Sequence, residues 1–303
     1  MNMAIDGRVT TGDGATPSRR RRSPVGRRAL PGEWRDWLVL PGITVIGLFF
    51  MAPLGVMVWR SFTDPSPQNY VRFFEEAVYA RVLLTTVRMA LLVTVACLLL
   101  GYPYAYLMNR VTRSWQLLLA MIVLLPFWSS LLVRTYAWTI LLRDGGLINW
   151  LLLNIGVIDR PVRLMGNATG TIIGMTHVLL PFMVLPIIAS MRRFDPDLAT
   201  AAAGLGARPI KVFWRIFFPL SLPGVMAGCL LVFVLAVGFY ITPAILGGRT
   251  AFFSMIIVLQ VSRLLEFGFG SALGVILLVV VLLIVAIGSR LVRLDDILGH
   301  RVR

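Results

Sequence analysis

Apolar residues in this chain do not alternate with polar ones. They run together in long stretches separated by short polar connections. A helix that crosses lipid hydrocarbon needs about 20 apolar residues at about 1.5 Å each. Six stretches are long enough: Leu38–Trp59, Val82–Met108, Leu117–Leu142, Ala168–Met191, Gly224–Leu246 and Ser271–Leu291. Two shorter apolar pieces remain, Gly146–Ile158 and Phe253–Leu265, the latter interrupted by Gln260, Ser262 and Arg263. The pattern predicts an all-α integral membrane protein with six transmembrane helices. The two short pieces are read as helices at, or dipping into, one membrane face.

Composition agrees with this reading. The chain is 58% hydrophobic and only 14% charged, where soluble domains carry about 25% charged residues. The formal net charge of +15 raises the question of nucleic acid, and the distribution of that charge answers it. Nineteen Arg and Lys side chains fall on the side that holds residues 1–36, the 109–116 and 192–223 loops, and the end of the chain from Arg290. Eight fall on the other side, and Arg88 and Arg134 lie within spans. The positive-inside rule places both termini in the cytoplasm. A seventh span at 253–265 would send the terminal arginines outward. Residues 1–36, with "SRRRRSPVGRR" at Ser18–Arg28, read as a disordered basic tail that anchors topology near anionic lipid. The membrane domain is expected over 37–294, and 295–303 as a cytoplasmic tail. No nucleic-acid partner is expected, whereas membrane lipid is.

One loop is unlike a simple connection. "LATAAAGLGARPIKVFWRIFFPLSLPG" runs from Leu198 to Gly224. Asp195 suits a helix N-cap and Pro196 the first helical position. Leu198, Ala201, Ala202 and Leu205 share one face of a helix, and that face is mostly small. Gly206 supplies a left-handed stop. A second helix starts at Pro209, with Ile210, Phe213, Trp214 and Phe217 on its apolar side and Arg208, Lys211 and Arg215 elsewhere. Pro219 and Pro223 are expected to end it before the next span. Two short cytoplasmic helices joined at a glycine suit either a surface-bound loop or one that enters a partner's groove.

The spacing Ala201-Ala202, Gly206, Ile216, Pro219 resembles the "EAA" signature of binding-protein-dependent ABC importer permeases: E-A-A, three residues, G, nine residues, I-x-L-P. Thr200 stands where an acid is usual, with Asp197 one turn earlier, and Phe218 stands where Leu is usual. Three further stretches, Leu125–Ile158, Leu179–Ile187 and Pro223–Gly248, are similar to spermidine/putrescine permease subunits, and "FGFGSAL" at Phe267–Leu273 is similar to their run before the last span. The resemblance implies a type I (MetI-like) importer permease of a bacterial inner membrane, with residues 195–223 as the coupling loop. In that family this loop docks on a cytoplasmic ATPase dimer, so Asp197, Thr200, Ala201, Ala202, Gly206, Ile216 and Pro219 become the expected coupling residues. It also implies a second permease chain, usually different in polyamine systems, and a periplasmic substrate-binding protein. The chain is then not an enzyme and holds no cofactor, ATP and Mg belonging to the partner ATPase. The sole lysine is Lys211, and no Walker A sequence is present.

The implied solute is a polyamine or another small polar compound, such as an amino-acid derivative or an opine-like molecule. Phe239 and Ala244 stand where relatives carry acids, and all 14 acids lie outside the spans. A dication in lipid calls for carboxylates or aromatic faces. Trp128, Tyr136, Trp138, Phe239 and Tyr240 are the candidate aromatic faces, and each is equally suited to packing or to an interface belt. Arg134 either lines the pathway or binds backbone carbonyls near the outer end of its span. His177, with no acid or Cys partner in sequence, reads as a core histidine. A secondary transporter needs intramembrane acids, carbonyl ion sites or inverted repeats. An intramembrane hydrolase needs a nucleophile elbow or a His-Glu-x-x-His run. None of these acids, repeats or motifs is present.

Overall fold

A computed structural model of the chain describes residues 32–64, 68–193, 198, 202 and 204–299, and every regular element among them is helical. The chain divides inside its first helix, α1 (Gly32–Thr63), into two units, Met1–Ala52 and Pro53–Arg303. The described part of the first unit is the beginning of α1. It is already helical from Gly32, four residues before the expected end of the tail, and apolar enough to span from Pro41. Residues 1–31 lie outside the described residues.

The second unit is built around three helices, α3 (Ala77–Arg110), α7 (Ala168–Met191) and α8 (Pro209–Val237). All three pack on one another. Their core includes Val93, Cys97, Met183, Ile187, Val232 and Ala236, each with no exposed surface. Where the three helices meet, the side chains are apolar, as befits helices buried among others in a membrane. Close packing depends on small residues. A Cβ added to Gly224 would overlap Ser190 Cβ and lie 2.6 Å from the Pro186 carbonyl oxygen. One added to Gly228 would lie 2.9 Å from Met183 Sδ. Gly101 of α3 faces the same methionine, at 3.0 Å from its Cγ. Met183 is therefore clasped between glycines of two neighbouring helices.

Between these lie α2 (Gln68–Glu75), α4 (Arg113–Leu124), α5 (Leu131–Leu141) and α6 (Leu147–Asn154). After α8 come α9 (Ile241–Leu246), α10 (Phe253–Ser262) and α11 (Phe267–Gly299). The short apolar pieces form α6 and α10, neither long enough to span, as expected. At the N-terminal end of α3, Phe73, Tyr79, Phe253, Phe269 and Leu273 join α2, α3, α10 and α11 in a second cluster. Arg72 lies 4.3 Å from the centre of the Phe269 ring and bonds to Glu76 and Glu266 at 3.0 and 2.7 Å. α11 continues through Gly299, past the expected start of the final tail at residue 295.

Two of the expected spans are redrawn. The third, expected over Leu117–Leu142, is broken. α4 leads into a 3-10 turn (Leu125–Trp128), Ser129 is extended, and α5 leaves at 103° to the segment before it. Pro126 lacks the amide that would continue the ladder. Ser129 Oγ donates to the Pro126 carbonyl at 3.1 Å, a local bond that competes with helix. The fifth span does not begin at Gly224. It is the membrane part of one rod that starts at Pro209. Pro219 and Pro223 do not end the amphipathic helix because a π-turn (Phe213–Phe217) precedes them, with the Phe218 amide reaching the Phe213 carbonyl. That wider turn absorbs the irregularity the prolines introduce. The same span also stops early, at Val237 rather than Leu246. Pro243 has no amide to offer the Phe239 carbonyl and its ring crowds that carbonyl, which disfavours a continuous helix here, and α9 starts afresh at Ile241.

Candidate functional site

Two groups of residues carry the functional expectations, one at each end of α8. At its start is the loop with the EAA-like spacing. Asp197, Thr200 and Ala201 lie outside the described residues, as do Asp195 and Pro196. Leu198, Ala202 and Gly204 are helical. Gly206 has φ +80°. The amide of Ala207 donates to the Ala202 carbonyl at 3.1 Å, the six-to-one bond of a Schellman stop. A left-handed residue there favours glycine because a Cβ is penalised. Open space surrounds Gly206, with no atom within 4 Å of where a Cβ would sit. Beside it Leu205 is 90% exposed. The bare turn thus presents an apolar side chain flanked by Gly204 and Gly206. Sequence reasoning put Leu205 on a helix face and did not single it out. Ile216 is half-buried in the π-turn and Pro219 is exposed on the rod that follows.

At the other end are the two helix breaks. α5 packs against α9, the Thr135 and Thr242 hydroxyls lying 3.2 Å apart. The helices that follow the two breaks are therefore held together. Trp128 closes the first break at 81% exposure, and Tyr136 on α5 is 60% exposed. Tyr240 stands in the second break at 40% exposure. Phe239, its neighbour, packs against the three-helix core instead, and its carbonyl accepts a bond from Ser254 Oγ at 2.7 Å. Trp138 is committed as well: its indole N–H donates to His177 Nδ1 at 3.2 Å, with the rings 5.6 Å apart. The Arg134 guanidinium turns back to the break and donates to the Ser129 carbonyl at 3.3 Å, while its Nε is buried with no partner. His177 is thus a partner of tryptophan. Among the described residues no three His, Cys, Asp or Glu side chains come together.

Among the described residues of the two groups no carboxylate stands beside a hydroxyl or imidazole. The arrangement offers an exposed glycine turn at one end of a continuous rod. At the other end it offers aromatic faces, a cation and hydroxyls beside two interrupted helices. Comparison with known proteins gives the same picture. Residues 82–302 match the family described as "Binding-protein-dependent transport system inner membrane component". The chain is 37% identical over 267 residues to the spermidine/putrescine transport system permease protein PotB of Escherichia coli (strain K12), covering 85% of this chain and 94% of that one. It is 32% identical over 257 residues to the corresponding protein of Haemophilus influenzae, covering 82% and 89%. In structure it is similar to a chain of a bacterial ABC transporter involved in the import of the acidic polysaccharide alginate, with a TM-score of 0.66 at 21% identity over 86% of this chain and 96% of that one.

Proposed function

The chain belongs to the family of binding-protein-dependent transport system inner membrane components, and on that premise we propose that it forms half of the pathway through which an ATP-driven importer moves a polyamine. The observation that carries this reading is the likeness to spermidine/putrescine permeases along nearly the whole chain. A second permease chain completes the pathway, a periplasmic binding protein delivers the solute, and a cytoplasmic ATPase dimer docks at the Ala201–Gly206 segment. Both termini lie in the cytoplasm.

The pathway chemistry suits an ammonium group without an intramembrane carboxylate. α8 ends at Val237, so the negative end of its dipole lies at Phe239 and Tyr240. The faces of Tyr240, Tyr136 and Trp128 each add about 0.5–2 kcal/mol for a desolvated cation. One observation favours a second reading, the amino-acid derivative. The guanidinium of Arg134, held beside the first break by the Ser129 carbonyl, would suit a solute that also carries a carboxylate. Titration of the cognate binding protein separates the two. Saturable binding of spermidine or putrescine at micromolar concentration or below supports the polyamine. Binding confined to amino-acid derivatives overturns it.

Two further outcomes are expected. Tyr240→Ala raises the KM for uptake by up to about tenfold, the loss of one cation–π contact, with little change in abundance. Phe239→Ala lowers abundance instead, because that ring packs on the core. Equal uptake constants for Tyr240→Ala and the parent chain would remove Tyr240 from the pathway. For topology, a cysteine at exposed Arg113, in a chain with Cys97 and Cys229 replaced, is labelled by impermeant reagent only from the cytoplasm, and one at exposed Arg160 only from the periplasm. The reverse pattern would invert the orientation.

A further inference from the structure

The stripe Tyr102, Tyr106, Arg110 runs down one face of α3 at four-residue intervals, close to its cytoplasmic end. Opposite lies the π-turn of α8, with Phe213 and Phe217 also four residues apart. The two stripes interlock. Tyr106 meets Phe213 at 5.4 Å and Phe217 at 5.1 Å, both nearly perpendicular, at 89° and 87°. Tyr102 meets Phe213 at 6.3 Å and 84°. Phe213 and Phe217 are stacked at 20°. The Arg110 guanidinium carbon lies 4.8 Å from the centre of the Tyr106 ring. The Tyr102 hydroxyl is 3.1 Å from Ser221 Oγ, which itself donates to the Phe218 carbonyl at 2.8 Å.

Edge-to-face ring pairs constrain angle as well as distance. They sit against the one turn of the rod whose ladder has slipped from the α register, which is where a load applied at Gly206 would bend it. Nearer the centre of the bundle, α3, α7 and α8 pack on one another through aliphatic side chains and small residues, with Gly101 and Gly228 both facing Met183. At its far end α3 carries Tyr79, packed edge-on against Phe269 of α11 at 5.0 Å. A helix of 34 residues spans about 50 Å, so α3 joins the coupling end to the second cluster.

We propose that Tyr102, Tyr106, Phe213 and Phe217 form a rigid ring joint that makes the coupling segment and α3 move as one body, so that the ATPase's motion reaches the outer side of the pathway through α3 as well as along α8. This rests on the reading that the Ala201–Gly206 segment docks on the ATPase. The four rings are positioning residues: they touch no solute and act through the helices they join.

The test uses the assembled transporter in proteoliposomes and reads solute moved per ATP hydrolysed. Tyr106→Leu keeps ATPase co-purification and hydrolysis within about twofold but lowers that ratio about fivefold or more, whereas Tyr106→Phe preserves it. A parental ratio in Tyr106→Leu overturns the joint. A second measurement leaves the rings intact. Spin labels at exposed Leu107 and Ile210, in a chain with Cys97 and Cys229 replaced, report one distance with and without nucleotide. An unchanged distance supports the joint even if Tyr106→Leu does not accumulate, and a nucleotide-dependent shift overturns it. Failure of the parent chain to retain the ATPase at all would overturn the docking reading instead.

Discussion

Gly206→Val is expected to reduce uptake tenfold or more at near-normal abundance, by an estimate of about 1.4 kcal/mol lost from docking. Gly206 holds φ +80°, a conformation that costs an L-residue about 1–2 kcal/mol and a β-branched one the most. The Schellman bond from Ala207 to Ala202 depends on that turn. Valine would either bear the strain or unwind the stop and displace Leu205 from the position where a partner meets it. No atom of this chain lies within 4 Å of the added Cβ, so the fold itself should tolerate the change. Asparagine, which enters the left-handed region more readily, should retain much of the activity. Uptake, ATPase co-purification and membrane abundance, measured in the same membranes, separate these effects. Normal uptake in Gly206→Val would make the segment a plain connector.

The second large effect falls on the fold. Gly224→Leu and Gly228→Leu should each lower membrane abundance several-fold, because overpacking costs about 1–3 kcal/mol or more and differences of that size change steady-state levels. The alanine variants discriminate more finely. At Gly224 the new methyl meets Ser190 and the Pro186 backbone carbonyl, neither of which can move without shifting α7. At Gly228 it meets chiefly Met183 Sδ, the end of a flexible side chain, with the Met183 carbonyl at 3.1 Å. Gly224→Ala should therefore lower the melting temperature in detergent more than Gly228→Ala, though both add one methyl group. The opposite order would mean that the α7–α8 contact is looser than these distances.

The spans were legible in sequence because their apolar length admits no other reading, and so were the short helices α6 and α10, too brief to cross. The stop at Gly206 was legible too, since a glycine after a helical face has a specific backbone use. The breaks were not. Apolar patterning passes unchanged through Pro126, Ser129 and Gly238, so hydropathy joined segments that proline and serine separate. The continuity of Pro209–Val237 was misread for the converse reason. Pro219 and Pro223 mark stops in an isolated helix, but a π-turn before them lets the rod continue. Among the aromatic residues, side-chain type alone did not distinguish Tyr240, which is exposed, from Phe239, which is committed to the core. Nor did it pick out Tyr102 and Tyr106, whose partners lie more than 100 positions away in the chain.

The central claim is that a polyamine crosses the membrane through this chain on the energy of a partner's ATP hydrolysis. Proteoliposomes carrying the chain with its second permease subunit and ATPase test it most directly, with labelled putrescine or spermidine and the binding protein outside and ATP within. The account predicts concentrative uptake that requires both ATP and the binding protein and that Gly206→Val lowers tenfold or more. Uptake sustained by an ion gradient without ATP, or a complete transporter that concentrates an amino-acid derivative and excludes both polyamines, would contradict it.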